Sequence, residues 1–204
     1  MVSPIAAEGG AAAFAGAVLA GGASARLGRD KALIEIDGLA LVARAAAALS
    51  DAGASPVTVV GGDADRVHGL GLAFVPDGWP GRGPLGGVLT AFAWSPAPVV
   101  VVLACDLPFV TGDVVAAVVG AVEDPAIDTA VAETTGLEPL CAAWRVAACE
   151  PSMLAAFAGG ERAVHRAIAT LRVRRVPVDH DALTNVNTPA DLAAAEARRS
   201  GKTA

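Results

Sequence analysis

The chain has 204 residues, 54% of them hydrophobic and only 4% aromatic, and carries a formal net charge of −6. That length fits one domain with a sizeable core rather than two, and the acidic balance speaks against a general nucleic-acid surface, which needs clustered Lys and Arg. Any anion site must be local, and the core must be built from Ala, Val and Leu, as suits helices packed closely on a parallel sheet. In chain order, residues 1 to about 14 are apolar but lack a basic n-region and are interrupted by Glu8, Gly9 and Gly10. They read as a loose tail ahead of a domain over 15–198, with 199–204 as a charged C-terminal tail and no transmembrane span. Strands are expected at 17–20, 56–61, 72–75, 99–104, 129–132, 141–145 and 172–177. Helices are expected at 39–50, 85–94, 111–122, 150–157, 163–170 and 189–197. Thr111 before Gly112-Asp113, and Thr188 before Pro189, are strong helix starts. Alternating Val-rich strands and Ala-rich helices are the signature of βα units around a parallel sheet. Cys105, Cys141 and Cys149 lie far apart without C-x-x-C spacing, so neither a zinc site nor a disulfide framework is expected, and a reducing cytoplasm is the default.

The first strand runs into Leu19-Ala20-Gly21-Gly22-Ala23-Ser24-Ala25-Arg26-Leu27-Gly28-Arg29-Asp30-Lys31. Glycines let backbone N–H groups approach phosphate oxygens, a hydroxyl adds a polar contact, and long cationic side chains neutralise the remaining charge. The loop is not a Walker A motif, because Lys31 follows Asp30 and no Ser or Thr follows it, nor does it fit G-x-G-x-x-G. The continuous apolar run of residues 99–104 suits a central strand buried on both faces, and it ends in Cys105-Asp106-Leu107-Pro108-Phe109. An aspartate at that strand end either holds Mg²⁺, which takes one or two carboxylates plus phosphates and water, or caps the following turn. Asp77-Gly78-Trp79-Pro80-Gly81-Arg82-Gly83-Pro84 leads into a helix, and its Asp-Gly and Gly-Pro pairs are also ordinary turn chemistry. In an open α/β sheet ligands bind beyond the carboxyl ends of the strands, so these three corners are expected to converge on one crevice.

Residue type and order from Leu19 to Lys31 resemble the L-A-G-G-x-S-x-R-M-G-x-D-K signature of the molybdenum cofactor guanylyltransferases. Leu27 stands for the usual Met, a volume-conserving swap. Cys105-Asp106-Leu107-Pro108-Phe109 is similar to that family's metal-binding element, and Asp77 to Gly87 to its nucleoside-binding element. Glu138-Pro139-Leu140, Gly159-Gly160-Glu161-Arg162 and Asn185-Val186-Asn187-Thr188-Pro189-Ala190-Asp191-Leu192 resemble further elements, in the family's order, from about residue 15 to residue 194. The resemblance implies an α/β fold: a single-domain, Rossmann-like three-layer sandwich with a mostly parallel central sheet and helices on both faces. It implies transfer of GMP from GTP to the terminal phosphate of molybdopterin-bound molybdenum, with release of pyrophosphate.

The roles it implies are nucleotide binding by Leu19, Ala20, Gly21, Gly22, Ser24, Lys31, Gly61, Asp77 and Asp106, and catalysis by Lys31, Arg26 and Asp106, with Mg²⁺ on Asp106. Arg82, Glu138, Arg162, Asn185 and Asn187 are candidates for the acceptor side. Glu138 alternatively starts an antiparallel strand, and Thr188 with Asp191 makes a capping-box-like helix start. After the second strand, where relatives place a polar residue such as asparagine near the base, this chain has Val60-Gly61-Gly62-Asp63, so Gly61 offers its backbone there. A cytidylyltransferase acting on the same pterin, a sugar- or polyol-phosphate nucleotidyltransferase, and a non-catalytic accessory protein of cofactor delivery remain alternatives. Expected partners are the two substrates and, transiently, molybdoenzymes or their chaperones, with no nucleic acid or membrane, from a cytoplasmic monomer or weak oligomer.

Overall fold

In a computed structural model that describes residues 14–21, 31–199 and 201, β1 (Phe14–Leu19) opens the fold, so the buried Phe14 belongs to the sheet rather than to the tail. A 3-10 turn (Lys31–Leu33), β2 (Glu35–Ile36), β3 (Leu39–Ala40), α1 (Leu41–Asp51), β4 (Val57–Val60), α2 (Ala64–Gly69) and β5 (Phe74–Val75) follow. The chain continues through α3 (Pro84–Trp94), β6 (Val99–Ala104), α4 (Gly112–Val122), β7 (Thr129–Glu133), β8 (Leu137–Arg145) and α5 (Val146–Ala158). It closes with α6 (Val164–Ala167), β9 (Val173–Pro177), a 3-10 turn (His180–Leu183) and α7 (Pro189–Arg199).

Seven strands form one sheet in the order β5-β4-β1-β6-β8-β7-β9. Every pairing is parallel except those of β8, which runs antiparallel to both β6 and β7. Period-two alternation sends Val18, Val101 and Leu103 to one face, against Val42, Leu49, Val115 and Val118 of α1 and α4. It sends Ala17, Val100, Val102 and Trp144 to the other, against Leu85, Val88, Leu89 and Met153 of α3 and α5. The result is the expected three-layer sandwich. The small residues of β1 permit close packing: a Cβ on Gly16 would lie 3.0 Å from Leu49 Cδ1 and 3.2 Å from Ala54 Cβ. No helix among the described residues is long and apolar enough to cross a membrane.

Four local expectations change. The helix expected from residue 39 begins at Leu41, because Leu39 and Ala40 pair with Ile36 and Glu35 across Asp37-Gly38, both at positive φ (52° and 71°), the signature of a tight hairpin turn. The 64–69 segment is helical, started by Asp63, whose carboxylate accepts from Arg66 N–H. The helix expected at 150–157 starts at Val146, with Pro151 within it. The strand expected at 141–145 starts four residues earlier, at Leu137. Its pairing with β7 is interrupted by a bulge: Val131 faces Ala142 whereas Ala132 faces Glu138. Residues 139–141 bulge out of the pairing with β7, while Cys141 keeps its place opposite Leu103 of β6 and Glu138 pairs with Ala132 of β7.

Candidate active site

Strand register brings the three loops together. Leu19 pairs with Val60 on one side and Ala104 on the other, and the ladder continues with Ala20 N–H donating to Val60 O (3.0 Å) and Cys105 N–H to Leu19 O (3.2 Å). Ala20-Gly21, Gly61-Gly62 and Cys105-Asp106 therefore emerge side by side at the carboxyl ends of β1, β4 and β6. Val75 pairs with Val60, so the chain leaving β5 delivers Asp77 to the same edge. Leu19 packs in the core beneath α3, its side chain 3.2 Å from where a Cβ of Gly87 would be. Gly22, Ser24 and Arg26 lie outside the described residues.

Lys31 Nζ donates to Asp106 Oδ2 at 2.6 Å and to Asn187 Oδ1 at 2.5 Å. The side chains of Lys31 and Asp106 are only 14% and 20% exposed, so this ion pair is screened far less than a surface pair. Asn187 is held in turn by the closing element. Val186 N–H donates to Asp106 O (3.0 Å), and Asp191 Oδ2 accepts the N–H groups of Asn187 (2.9 Å) and Thr188 (2.8 Å). Asp191 N–H donates back to Thr188 Oγ1 (3.2 Å), so the capping box both starts α7 and aims Asn187. The Asn187 N–H, aided by the Thr188 contacts, holds the Asp191 carboxyl below its ordinary range.

Among the described residues, no cluster of three or more His, Cys, Asp or Glu side chains could hold a metal ion alone. A Mg²⁺ ion completed by nucleotide phosphates and water does not need one. Asp106 Oδ1 is buried and without a hydrogen-bond partner among the described residues, and such an atom is costly unless something pairs with it. A hard carboxylate oxygen left open at the end of β6, beside the glycines that end β1, fits that ion.

Asp77 is fixed from below. Its Oδ1 accepts the N–H of Trp79 (2.9 Å) and lies 3.2 Å from Thr90 Oγ1 on α3. Its Oδ2 faces Gly21, 3.8 Å from where a Cβ there would stand. Gly61 N–H donates to Val75 O (2.9 Å), so it is already engaged by the sheet edge. These glycines are expected to respond differently to substitution. Among the described residues Gly21→Ala meets only an ordinary van der Waals contact, with Asp77 Oδ2 at 3.8 Å, and it should fold normally while its methyl takes up nucleotide space. Gly61→Ala must adopt a φ of +74° with its Cβ 3.3 Å from Gly21 N and Cα, so it should lose about 1–3 kcal/mol of stability. Thermal melts paired with nucleotide titrations check both.

The acceptor-side candidates divide. Glu138 is half-buried, and burial pushes its carboxyl up; the negative charge of Asp106 adds to that and His180 opposes it. Asn185 is half-buried and Asn187 exposed, both in the segment laid over Asp106, while Arg82 is exposed on the loop before α3. Arg162 is engaged elsewhere. Its Nη1 donates to the carbonyls of Phe157 (2.8 Å) and Glu161 (2.6 Å), its guanidinium stacks 4.3 Å from the Phe157 ring centroid, and its own carbonyl accepts Leu85 N–H (3.1 Å). Those contacts tie the end of α5 to the start of α3. Thr90 gave no signal as a site residue, although a threonine in the apolar run Leu85–Trp94 is a polar group that burial obliges to find partners.

Glycine corners at the carboxyl ends of a mostly parallel sheet, beside a lysine–aspartate pair, suit the binding of a nucleotide's phosphates. Residues 16–176 match the model of the MobA-like NTP transferase domain. The molybdenum cofactor guanylyltransferase of Rhodobacter capsulatus is 36% identical over 191 residues, covering 91% of this chain and 96% of its own. That of Cereibacter sphaeroides is 37% identical over 187 residues, covering 89% and 94%. The crystal structure of molybdopterin-guanine dinucleotide biosynthesis protein A from Archaeoglobus fulgidus superposes with a TM-score of 0.75 at 26% identity, covering 91% of this chain and 98% of that one. The chain belongs to the MobA-like NTP transferase family.

Proposed function

We propose that the protein transfers GMP from GTP to the terminal phosphate of molybdopterin-bound molybdenum, yielding the guanine dinucleotide form of the cofactor and pyrophosphate. The observation that carries the transfer chemistry is the meeting of Lys31, Asp106 and Asn187 beside Gly21. GTP and the pterin acceptor are supported by the names of relatives that match nine-tenths of the chain. An acceptor phosphate oxygen attacks the α-phosphorus in line, forming one P–O bond while the bond to the bridging oxygen breaks and pyrophosphate leaves. A phosphate needs no base to be a nucleophile, so positioning and charge neutralisation dominate. Lys31, with Arg26, neutralises the leaving group, and the N–H groups of Gly21 and Gly22 and the Ser24 hydroxyl cradle the phosphates. Mg²⁺ held by Asp106 supplies further positive charge at the nucleotide phosphates when bound. Asn185, Asn187, Glu138 and Arg82 face the acceptor. The protein acts in the cytoplasm, as a monomer or weak oligomer, handing its product to molybdoenzymes or their chaperones.

Asp77 reads the base. Its carboxylate accepts from guanine N1–H and the exocyclic amine, and cytosine has no matching pair of donors on one edge, so CTP leaves the carboxylate desolvated and unpaired. Asp77→Ala is expected to lower the ratio of kcat/KM for GTP to that for CTP by about 10–10²-fold, the worth of hydrogen bonds to a charged group. An unchanged ratio would remove Asp77 from base recognition, and a wild-type enzyme that prefers CTP would overturn the guanylyl reading itself.

A further inference from the structure

We infer that Thr90 is a positioning residue that sets base selectivity by fixing the carboxylate of Asp77, an inference that rests on the guanine reading above. Thr90 is 6% exposed, on a helix whose other buried positions (Leu85, Val88, Leu89, Ala91, Phe92) are apolar or glycine. A mid-helix threonine normally disposes of its hydroxyl by bonding back to the carbonyl four residues earlier, and Thr90 Oγ1 does lie 3.0 Å from Gly86 O. That bond alone would account for a buried threonine. Two further contacts exceed it. Gly78 N–H donates to Thr90 Oγ1 at 3.0 Å, and Oγ1 lies 3.2 Å from Asp77 Oδ1.

The loop is seated on this hydroxyl. A Cβ on Gly78 would stand 3.3 Å from Oγ1, so the glycine is what allows the turn to come down onto it. Trp79 N–H donates to Oδ1, and the single Thr90 hydroxyl proton, shared between Gly86 O at 3.0 Å and Oδ1 at 3.2 Å, adds a second anchor there, so that Oδ2 is left on the Gly21 side. Without the hydroxyl, one anchor on Oδ1 and the seat of Gly78 are lost together. The carboxylate then rotates, and the planar two-donor edge of guanine no longer finds both oxygens in place. Lys31 and Asp106, which serve the phosphates, are tied instead to Asn187 and Val186 of the closing element. Thr90 therefore acts on base discrimination and not on the transfer step.

The test compares wild type, Thr90→Val and Thr90→Ser, with GTP and CTP as donors and inorganic pyrophosphate as a competitive probe of the phosphate grip. Thr90→Val should raise KM for GTP with kcat nearly kept, narrowing the GTP-to-CTP ratio about 3–10-fold, the range of one hydrogen bond. Pyrophosphate inhibition should not move, and Thr90→Ser, which keeps the hydroxyl, should restore the wild-type ratio. A GTP-selective wild type with an unchanged ratio in Thr90→Val overturns the inference and leaves the guanine reading standing. Equal losses with both nucleotides, or weakened pyrophosphate inhibition, would make the role structural and equally overturn it. Should Thr90→Val fail to fold, Thr90→Ala repeats the comparison without added bulk. Unfolding of both assigns Thr90 to stability and overturns the inference. A wild type with no preference for GTP sinks the guanine reading before Thr90 is at issue.

Discussion

Asp106→Ala is expected to lower turnover by about 10³-fold or more while leaving the melting temperature unchanged or raised. The carboxylate is the hard oxygen donor at the site and the ion-pair partner of Lys31, at 2.6 Å. A Mg²⁺ ion held there, as proposed, would contribute charge stabilisation of several kcal/mol, and each 1.4 kcal/mol is about tenfold in rate. Stability should not follow activity down. Asp106 Oδ1 is buried without a partner among the described residues, so the native fold bears a desolvation cost that the alanine removes. Lys31 keeps its bond to Asn187 Oδ1, and the closing element stays attached through the backbone bond from Val186 N–H to Asp106 O. Asp106→Asn, which keeps the shape but not the charge, should be severely impaired as well. A variant that melts many degrees lower would make Asp106 a structural residue, and one that turns over normally would remove it from the chemistry.

Lys31→Ala is expected to lose roughly 10²–10³ in kcat, the effect of deleting one preorganised donor aimed at developing charge, about 3–4 kcal/mol. The ammonium is poised for that role because two elements far apart in sequence, the end of β6 and the start of α7, hold it at a point. A loss in kcat shared equally by kcat/KM places Lys31 in the transition state. A rise in KM with kcat intact would show that it contributes only uniform binding. The same substitution takes from Asp106 Oδ2 its ammonium partner while Oδ1 already lacks one among the described residues, so unlike Asp106→Ala it should also cost stability, and differential melts of the two variants read that asymmetry directly.

What could be read from the sequence follows the strength of each local signal. Residues 99–104 form a strand between the expected limits because a six-residue apolar run ending in Cys-Asp has few other uses in an α/β chain. The hairpin of β2 and β3 was signalled by Asp37-Gly38, the dipeptide that tight hairpins favour. Its two-residue strands were too short to show alternation, however, and the leucine and alanines after Gly38 read as continuous helix. The helix at 64–69 buries only Val67, so no apolar periodicity announces it. The site divides in the same way. Asp77, Asp106 and Lys31 stand out as residue types at strand ends and in a glycine-rich loop. The bond from Lys31 to Asn187, across 156 residues, arises only when the segment before α7 docks over Asp106 and the capping box holds the Asn187 backbone in place. Thr90 was invisible because threonine inside an apolar helix is indistinguishable in sequence from one that merely bonds back to its own carbonyl. Arg162, a cation in a family-like element, has structural partners that its sequence context did not show: one guanidinium nitrogen donates to the carbonyls of Phe157 and Glu161.

The most direct test of the account is pyrophosphate release by the purified protein with Mg²⁺, each of the four nucleoside triphosphates in turn, and molybdopterin-bound molybdenum present or absent. The account predicts release with GTP only, dependent on the acceptor, and lost in Asp106→Ala. Release with CTP in place of GTP, or no release with any nucleotide in the presence of the acceptor, would contradict it.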